Sequence, residues 1–374
     1  MAAMDGSEGR STGRLKGVYR ASALRKRLFI AAAVILTLIS AIVSACLGAV
    51  DVPPGEVVKA ILHSILPSVF QGPEVSWYSD IIINSRMSRI MLCVICGFSL
   101  AISGAVMQNI LRNPLVSPFT LGLSSAASFG AAVAIALGTG ITGSVFILGH
   151  EFFVKNVYVA AMAVAASFIS VGMVILLSRR PGISRSTVIL TGVIVSYLFQ
   201  AGISAIKYFS DDDALREITL WLMGGMWNAT WGVVLLVLPA VTACVLAMEA
   251  MSPKVNVLSA GDEVAESLGI NVGRLRTVLL VLCTVSVSVC IAFTGIIGFI
   301  GLMAPHMTRM AIGNDSRYLF IASGCLGAFI LTASDTLARM IIRPEELPVG
   351  IIMYLAGGIF FIWLVTRKRK EVTL

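Results

Sequence analysis

Long apolar runs separated by short polar breaks dominate this sequence from residue 27 onward. Crossing the hydrocarbon core of a bilayer takes about 20 apolar helical residues. Segments of that kind recur, among them FIAAAVILTLISAIVSACLGAV at 29–50, IMLCVICGFSLAISGAVM at 90–107 and VYVAAMAVAASFISVGMVILL at 157–177. The pattern predicts spans near 27–49, 86–108, 119–138, 157–178, 186–206, 231–250, 275–294, 296–311, 318–337 and 348–366. The fold class that follows is an all-α polytopic membrane protein with about ten transmembrane helices and both termini cytoplasmic. Residues 25–370 form one transmembrane domain, and 1–24, rich in Gly, Ser and Arg, read as a disordered basic cytoplasmic tail. Pro53 and Pro54 open a short interfacial helix. HEFFVKN (150–156) reads as an outer loop and KYFSDDDALRE (207–217) as an exposed acidic one, while Trp221, Trp227 and Trp231 fit an interfacial aromatic belt.

Two of the breaks carry more information than the rest. In GAVMQNILRNPLVSPFTLG (104–122) an apolar helix stops for a polar segment with two prolines and then resumes. Pro114 and Pro118 lack the backbone N–H, and each biases the residue before it away from helix. Irregular backbone at membrane depth survives only where protein buries it or a water-filled cavity meets it. A gate fits that condition, and so does an ordinary tight turn at the membrane surface. In LSAGDEVAESLGINVGRLR (258–276) a short amphipathic helix from near Ala260 places Val264, Leu268 and Ala265 on one face, away from Asp262, Glu263 and Glu266. Its acidic residues fall in the first turns, which suits the helix dipole, and Gly269 suits a C-terminal cap. A helix this short is marginal alone in water. Its acidity disfavours anionic lipid, so a protein partner is expected.

Composition agrees with the pattern: 57% of the 374 residues are hydrophobic, 13% are charged, and the mean hydropathy is +0.92. The net charge of +8 does not call for nucleic acid. With ten spans and both termini inside, 20 of the 28 Lys and Arg lie inside, against about 8 of the 20 Asp and Glu. That is the positive-inside asymmetry of membrane proteins. All seven cysteines lie in apolar segments, as packing residues rather than a disulfide framework. Cys93 and Cys96 sit one helical turn apart without further ligands nearby in the pattern, so no metal site is expected. No phosphate-cradling loop, zinc signature or Ser-His-Asp set occurs, so neither a catalytic residue nor a cofactor is assigned and the chain is not read as an enzyme. Ion-coupled transporters need ionisable residues near the midplane. The centres of the expected spans hold none; His306 and Arg309 lie toward one end of a span and Asp335 toward the end of another.

Residues 86–130 (RMSRIMLCVICGFSLAISGAVMQNILRNPLVSPFTLGLSSAASFG), the segment GDEVAESLGINVGRLR, GFIGLMAPHMTR at 298–309 and SDTLARMIIRPEELPVGI at 334–351 together resemble the FecCD-type permeases of binding-protein-dependent ABC importers. The likeness runs from about residue 28 to 370 in order and spacing. The resemblance implies the permease subunit of an importer for a metal chelate in the inner (cytoplasmic) membrane, with iron–siderophore as first choice and cobalamin, haem or an oxyanion as alternatives. It also implies ATP hydrolysis on separate ATP-binding-cassette subunits, an extracytoplasmic solute-binding protein, and a second permease copy about a two-fold axis. The pathway would be lined by spans five, eight and ten. The loop 255–275 becomes the coupling loop, with Gly261, Asp262, Glu263, Ala265, Leu268 and Gly269 facing the ATPase. Asn113, Pro114 and Leu115, with Arg185 and Ser186, become the cytoplasmic gate. Arg86, Arg89 and Arg339 become the docking points for the binding protein; the family often has proline just before the second of these, where this chain has Ser88. Arg86 and Arg89, three apart, are expected to share a helix face. Outside the family, the rival reading is an ion-coupled secondary transporter.

Overall fold

The computed structural model describes residues 2–48, 50–178 and 185–371, with side chains described over 23–48, 50–177 and 187–366. Helices α1 (Ala2–Cys46) and α2 (Pro54–Ile65) come first. They are followed by one unbroken 36-residue helix, Ser76–Leu111. It comprises α3 (Ser76–Ser79), a π-helical stretch over Asp80–Met87, and α4 (Ser88–Leu111). A 3₁₀ turn over Pro118–Leu121 leads to α5 (Leu123–Leu137). Strands β1 (Ser144–Ile147) and β2 (His150–Phe153) pair antiparallel before α6 (Val154–Ser178), α7 (Arg185–Phe209) and α8 (Asp212–Met223). The rest is α9 (Trp231–Ala250), α10 (Ser252–Ala260), α11 (Asp262–Ser267), α12 (Val272–Thr294), α13 (Ile300–Ile312), α14 (Ser316–Met340) and α15 (Val349–Glu371).

Among the described residues eight helices are long and apolar enough to cross a membrane. The other two expected spans are shorter: α5 has 15 residues and α13 has 13. The fold is otherwise all-α, apart from the β1–β2 hairpin in the region read as a loop. Two further differences have local causes. The acidic stretch after α7 is mostly helix, because the Asp211 carboxylate accepts a hydrogen bond from the Ala214 amide at 2.8 Å and caps α8. Residues 2–24 are helical in backbone rather than irregular. Proline is absent there, and extending an existing helix costs far less than nucleating one.

Helix α4 is the axis of the packing. It lies against α14 and α13, with α12 and α9 alongside. Small residues permit this approach: a Cβ on Gly97 would meet the Gly327 carbonyl, and one on Gly104 would run into the backbone of Gly301. By contrast α1, α7 and α15 leave most of their apolar surface outside the chain's own core. Between α12 and α13 the backbone is non-helical, and Phe299 takes the left-handed conformation at φ 64° as its ring packs on Tyr354, with Phe361 near.

Candidate coupling and gate site

At one end of the bundle the α4–α5 turn, the segment from α10 to α12 and the α13–α14 turn converge. Helix α4 ends at Arg112, a non-glycine residue in the left-handed region at φ 48°, ψ 39°. Asn113 then turns the chain, its amide donating to the Gln108 carbonyl at 3.1 Å and its side-chain oxygen accepting from the Leu115 amide at 2.9 Å. Pro114 and Leu115 project from this turn, Leu115 with 61% of its surface exposed. The chain re-enters through the Pro118–Leu121 turn, which crosses α7 so closely that a Cβ on Gly192 would meet the Leu121 backbone. The two expected gate residues on α7, Arg185 and Ser186, have side chains outside the described residues.

The short helix expected from near Ala260 is α11, and the 255–275 segment also holds the end of α10 before it and the start of α12 after it. Gly261, at φ 149° and ψ 153°, separates α10 from α11. Gly269, at φ 79°, closes α11 in a Schellman arrangement: its amide donates to the Glu266 carbonyl at 2.9 Å and the Ile270 amide to Ala265 at 3.0 Å. Glu263, Val264 and Leu268 face outward, the two apolar residues 44% and 65% exposed. Ala265 is fully buried against the bundle, whereas Val264 and Leu268 stand exposed. A short helix lying flat on a protein splits positions about 100° apart between its two sides.

Asp262 also turns inward. The Arg276 guanidinium, from the first turns of α12, reaches both of its carboxylate oxygens at 2.9 Å through Nη2 and donates through Nε to the Ile110 carbonyl at 3.1 Å. Arg112 Nη2 lies 3.5 Å from the same carboxylate and donates to the Leu258 carbonyl. A second set of bonds runs alongside. Asn256 of α10 donates to Asp315 at 2.8 Å and accepts from the Ser316 amide at 2.7 Å. Asn109 donates to Ser316 Oγ at 3.0 Å, and Arg309 holds the side-chain oxygens of Gln108 and Asn109 at 3.0 and 3.1 Å. Lys26 of α1 reaches Asp315 at 3.0 Å. Burial alone would raise the Asp315 carboxyl, but Lys26 and Asn256 hold it below its ordinary value.

At the opposite end lie the three arginines expected to dock a binding protein. They form one cluster, turned into the chain. Arg86 and Arg339 are each 5% exposed. Arg86 donates to the carbonyls of Ala45 (2.6 Å), Cys46 (3.1 Å) and Val50, while Arg339 reaches Ser44 Oγ at 2.5 Å and the Leu47 carbonyl at 3.2 Å. Both therefore cap the C-terminal carbonyls of α1. Arg89 takes Asp335, which is 1% exposed, through Nε (3.0 Å) and Nη2 (2.9 Å), and Glu346 through Nη1 at 2.7 Å. Arg339 Nε also lies 3.2 Å from Asp335. Arg86, within the π-helical stretch, and Arg89, in the first turn of α4, have different partners: one reaches α1, the other α14. Asp335, Glu346, Arg276 and Arg112 were not foreseen as site residues. Their only sequence signal is charge at the edge of an apolar run.

The profile of the FecCD transport family matches residues 36–367. The ABC transporter permease protein MJ0087 of Methanocaldococcus jannaschii is 36% identical over 354 residues, covering 93% of this chain and 97% of its own. The hemin transport system permease protein HmuU of Yersinia pestis is 34% identical over 293 residues, covering 77% of this chain and 84% of its own. Other relatives are named for Fe(3+)-citrate, Fe(3+) dicitrate and cobalamin import. Among solved structures, an inward-facing metal-chelate type ABC transporter superposes with a TM-score of 0.76 at 28% identity, covering 90% of this chain and 98% of that one. A polytopic helical fold built around α4, matched along nearly its whole length, makes this chain a member of the FecCD transport family, the permeases of ABC importers for metal-chelate, haem, citrate or cobalamin cargo.

Proposed function

We propose that this permease carries a ferric chelate, an iron–siderophore foremost, across the inner membrane as one of two identical copies, with ATP hydrolysed on separate subunits. The observation that carries the energy-coupling part is α11. It is a six-residue helix, too short to persist alone, with Val264 and Leu268 exposed beside Glu263. A cleft on an ATP-binding-cassette subunit would cover that apolar pair. This end is then cytoplasmic, in keeping with the positive-inside distribution, and the turn at Asn113, Pro114 and Leu115, with Arg185 and Ser186, is the inner gate.

The exposed faces of α7 and α15 supply the surface for a second copy and the wall of a pathway between the two. Leu190, Ile194 and Tyr197 on α7 and Leu355, Ile359 and Trp363 on α15 stand outside the chain's own core. Such walls suit a bulky chelate, which needs few fixed polar contacts. At the outer end the binding protein would meet Arg89, with Arg86 and Arg339 behind it; Glu346, only partly buried, holds the place an incoming carboxylate would take. Reconstitution with the ATPase and binding protein in liposomes tests the reading. ATP-dependent uptake of a ferric siderophore, above that of cobalamin or hemin, is expected. Preference for cobalamin or hemin would overturn the cargo, and uptake without any ATPase would overturn the whole proposal.

A further inference from the structure

We infer that Arg276, assisted by Arg112, welds the ATPase-facing helix α11 to the end of the gate helix α4, so that a displacement of α11 is delivered to the turn at 112–117. The inference deepens the coupling role proposed above and rests on it.

Three observations meet at this point. First, a single guanidinium spans the two elements. Arg276 donates to both oxygens of Asp262, the first residue of α11, and to the carbonyl of Ile110, in the last turn of α4. That carbonyl lies among the last four of its helix, which no intrahelical amide serves. The planar fork of arginine can hold a carboxylate and a carbonyl at once, which an ammonium cannot do in fixed geometry. Second, Arg112 ends α4 in the left-handed region, where glycine or asparagine is the unstrained choice. Its side chain crosses to the α10–α11 joint, on the Leu258 carbonyl and beside Asp262. A strained conformation that persists points to a side chain held by its surroundings. Third, Gly261 gives the coupling segment a joint, at φ 149°, immediately before Asp262. Without the clamp α11 could pivot there and dissipate a push from outside; with it, α11, the base of α12 and the end of α4 share one charge-assisted connection. The partly buried setting of Asp262, Arg112 and Arg276 limits the screening that weakens surface pairs. The parallel set through Asn256, Ser316 and Asn109 fastens α10 to the same end of α4.

The test uses the full importer in proteoliposomes, with ATP hydrolysis and cargo uptake read from the same vesicles. Arg276→Met should leave ATPase co-purification and hydrolysis within about twofold of wild type while cargo moved per ATP falls about tenfold, within the usual span of coupling between sites. Arg276→Lys should recover part of that ratio, since it keeps a charge for Asp262 but loses the reach to Ile110. Spin labels at Ser267 and Leu115 should keep one separation through the ATP cycle in wild type and spread over several in Arg276→Met. Unchanged cargo per ATP in Arg276→Met overturns the inference. So does a parallel loss of assembly, hydrolysis and uptake, which marks a staple for folding only. Should Arg276→Met not fold, Arg112→Gln, at the more open edge of the clamp, is read by the same ratio and the same criteria. Wild-type vesicles that take up nothing with ATP would instead overturn the permease reading on which this rests.

Discussion

Asp335→Ala removes a carboxylate that is 1% exposed and shared by two arginines. In the folded chain it accepts two charge-assisted hydrogen bonds from Arg89, at 3.0 and 2.9 Å, and stands 3.2 Å from Arg339. Such bonds contribute about 1.5–3 kcal/mol each when both partners are desolvated. Breaking a buried pair by deleting one member costs about 3–5 kcal/mol, because the other charge stays buried without compensation. Here the remaining balance is poor: Arg89 would keep Glu346, Arg86 only the more distant Asp51, and Arg339 would lose its paired carboxylate. At about 1.3 °C per kcal/mol for a chain of this size, the purified protein in mild detergent should unfold about 4–6 °C lower. Asp51→Ala is the control, since Asp51 meets Arg343 at 3.0 Å but on the surface, where a pair is worth about 0–1 kcal/mol. Removing Arg89 together with Asp335 should return part of the loss, because the stranded charge goes too. If Asp335→Ala shifts unfolding no more than Asp51→Ala, the buried cluster does not anchor the fold.

Other substitutions probe the remaining links. Leu268→Glu places a charge on the exposed apolar pair of α11; it should leave unfolding in detergent unchanged and weaken ATPase capture at least tenfold, about 1.4 kcal/mol or more. Gly104→Ala should cost about 1–3 kcal/mol by overpacking against Gly301, and Gly104→Leu should yield no folded protein in detergent extracts, as size-exclusion chromatography would show. Asp315 has its pKa held below the ordinary aspartate value of about 3.9, so its contribution to stability is present above that value and lost as pH falls through the lower native one. The unfolding gap between wild type and Asp315→Asn should therefore be open at neutral pH and close only in acid below the ordinary value; a gap that persists there would mean the Lys26 contact is not its source.

The sequence made the breaks legible and left most of the pairings hidden. Pro114 and Pro118 act through their own covalent structure, so the end of α4 was visible before any neighbour was known. Gly269 likewise announced the end of α11, since a left-handed cap is a local requirement. The partner of Arg276 was not readable, because its two acceptors belong to α11 and α4 and only the tertiary fold brings them within one fork. Arg86 and Arg339 carried a signal, charge at the edge of an apolar run, that fits an outward contact and an inward cap equally. Their inward turn depends on where α1 ends relative to α4 and α14. The split of Ala265 from Val264 and Leu268 depended on α11 lying flat against the bundle, which a helical wheel drawn in isolation does not contain.

The capping of α1 has a consequence for how the chain is made. Its final carbonyls are sealed by Arg86 and by Arg339, the latter 295 residues beyond the Ser44 it reaches. Translation proceeds toward the C-terminus at about 5–20 residues per second, so α1 leaves the ribosome well before α14 and waits tens of seconds for Arg339. Until α14 arrives, Arg86 alone caps the end of α1, and Ser44 and the Leu47 carbonyl lack their guanidinium. A nascent permease truncated before Arg339 would carry an α1 with only half its cap, a mark by which membrane quality control could tell an unfinished chain from a completed one.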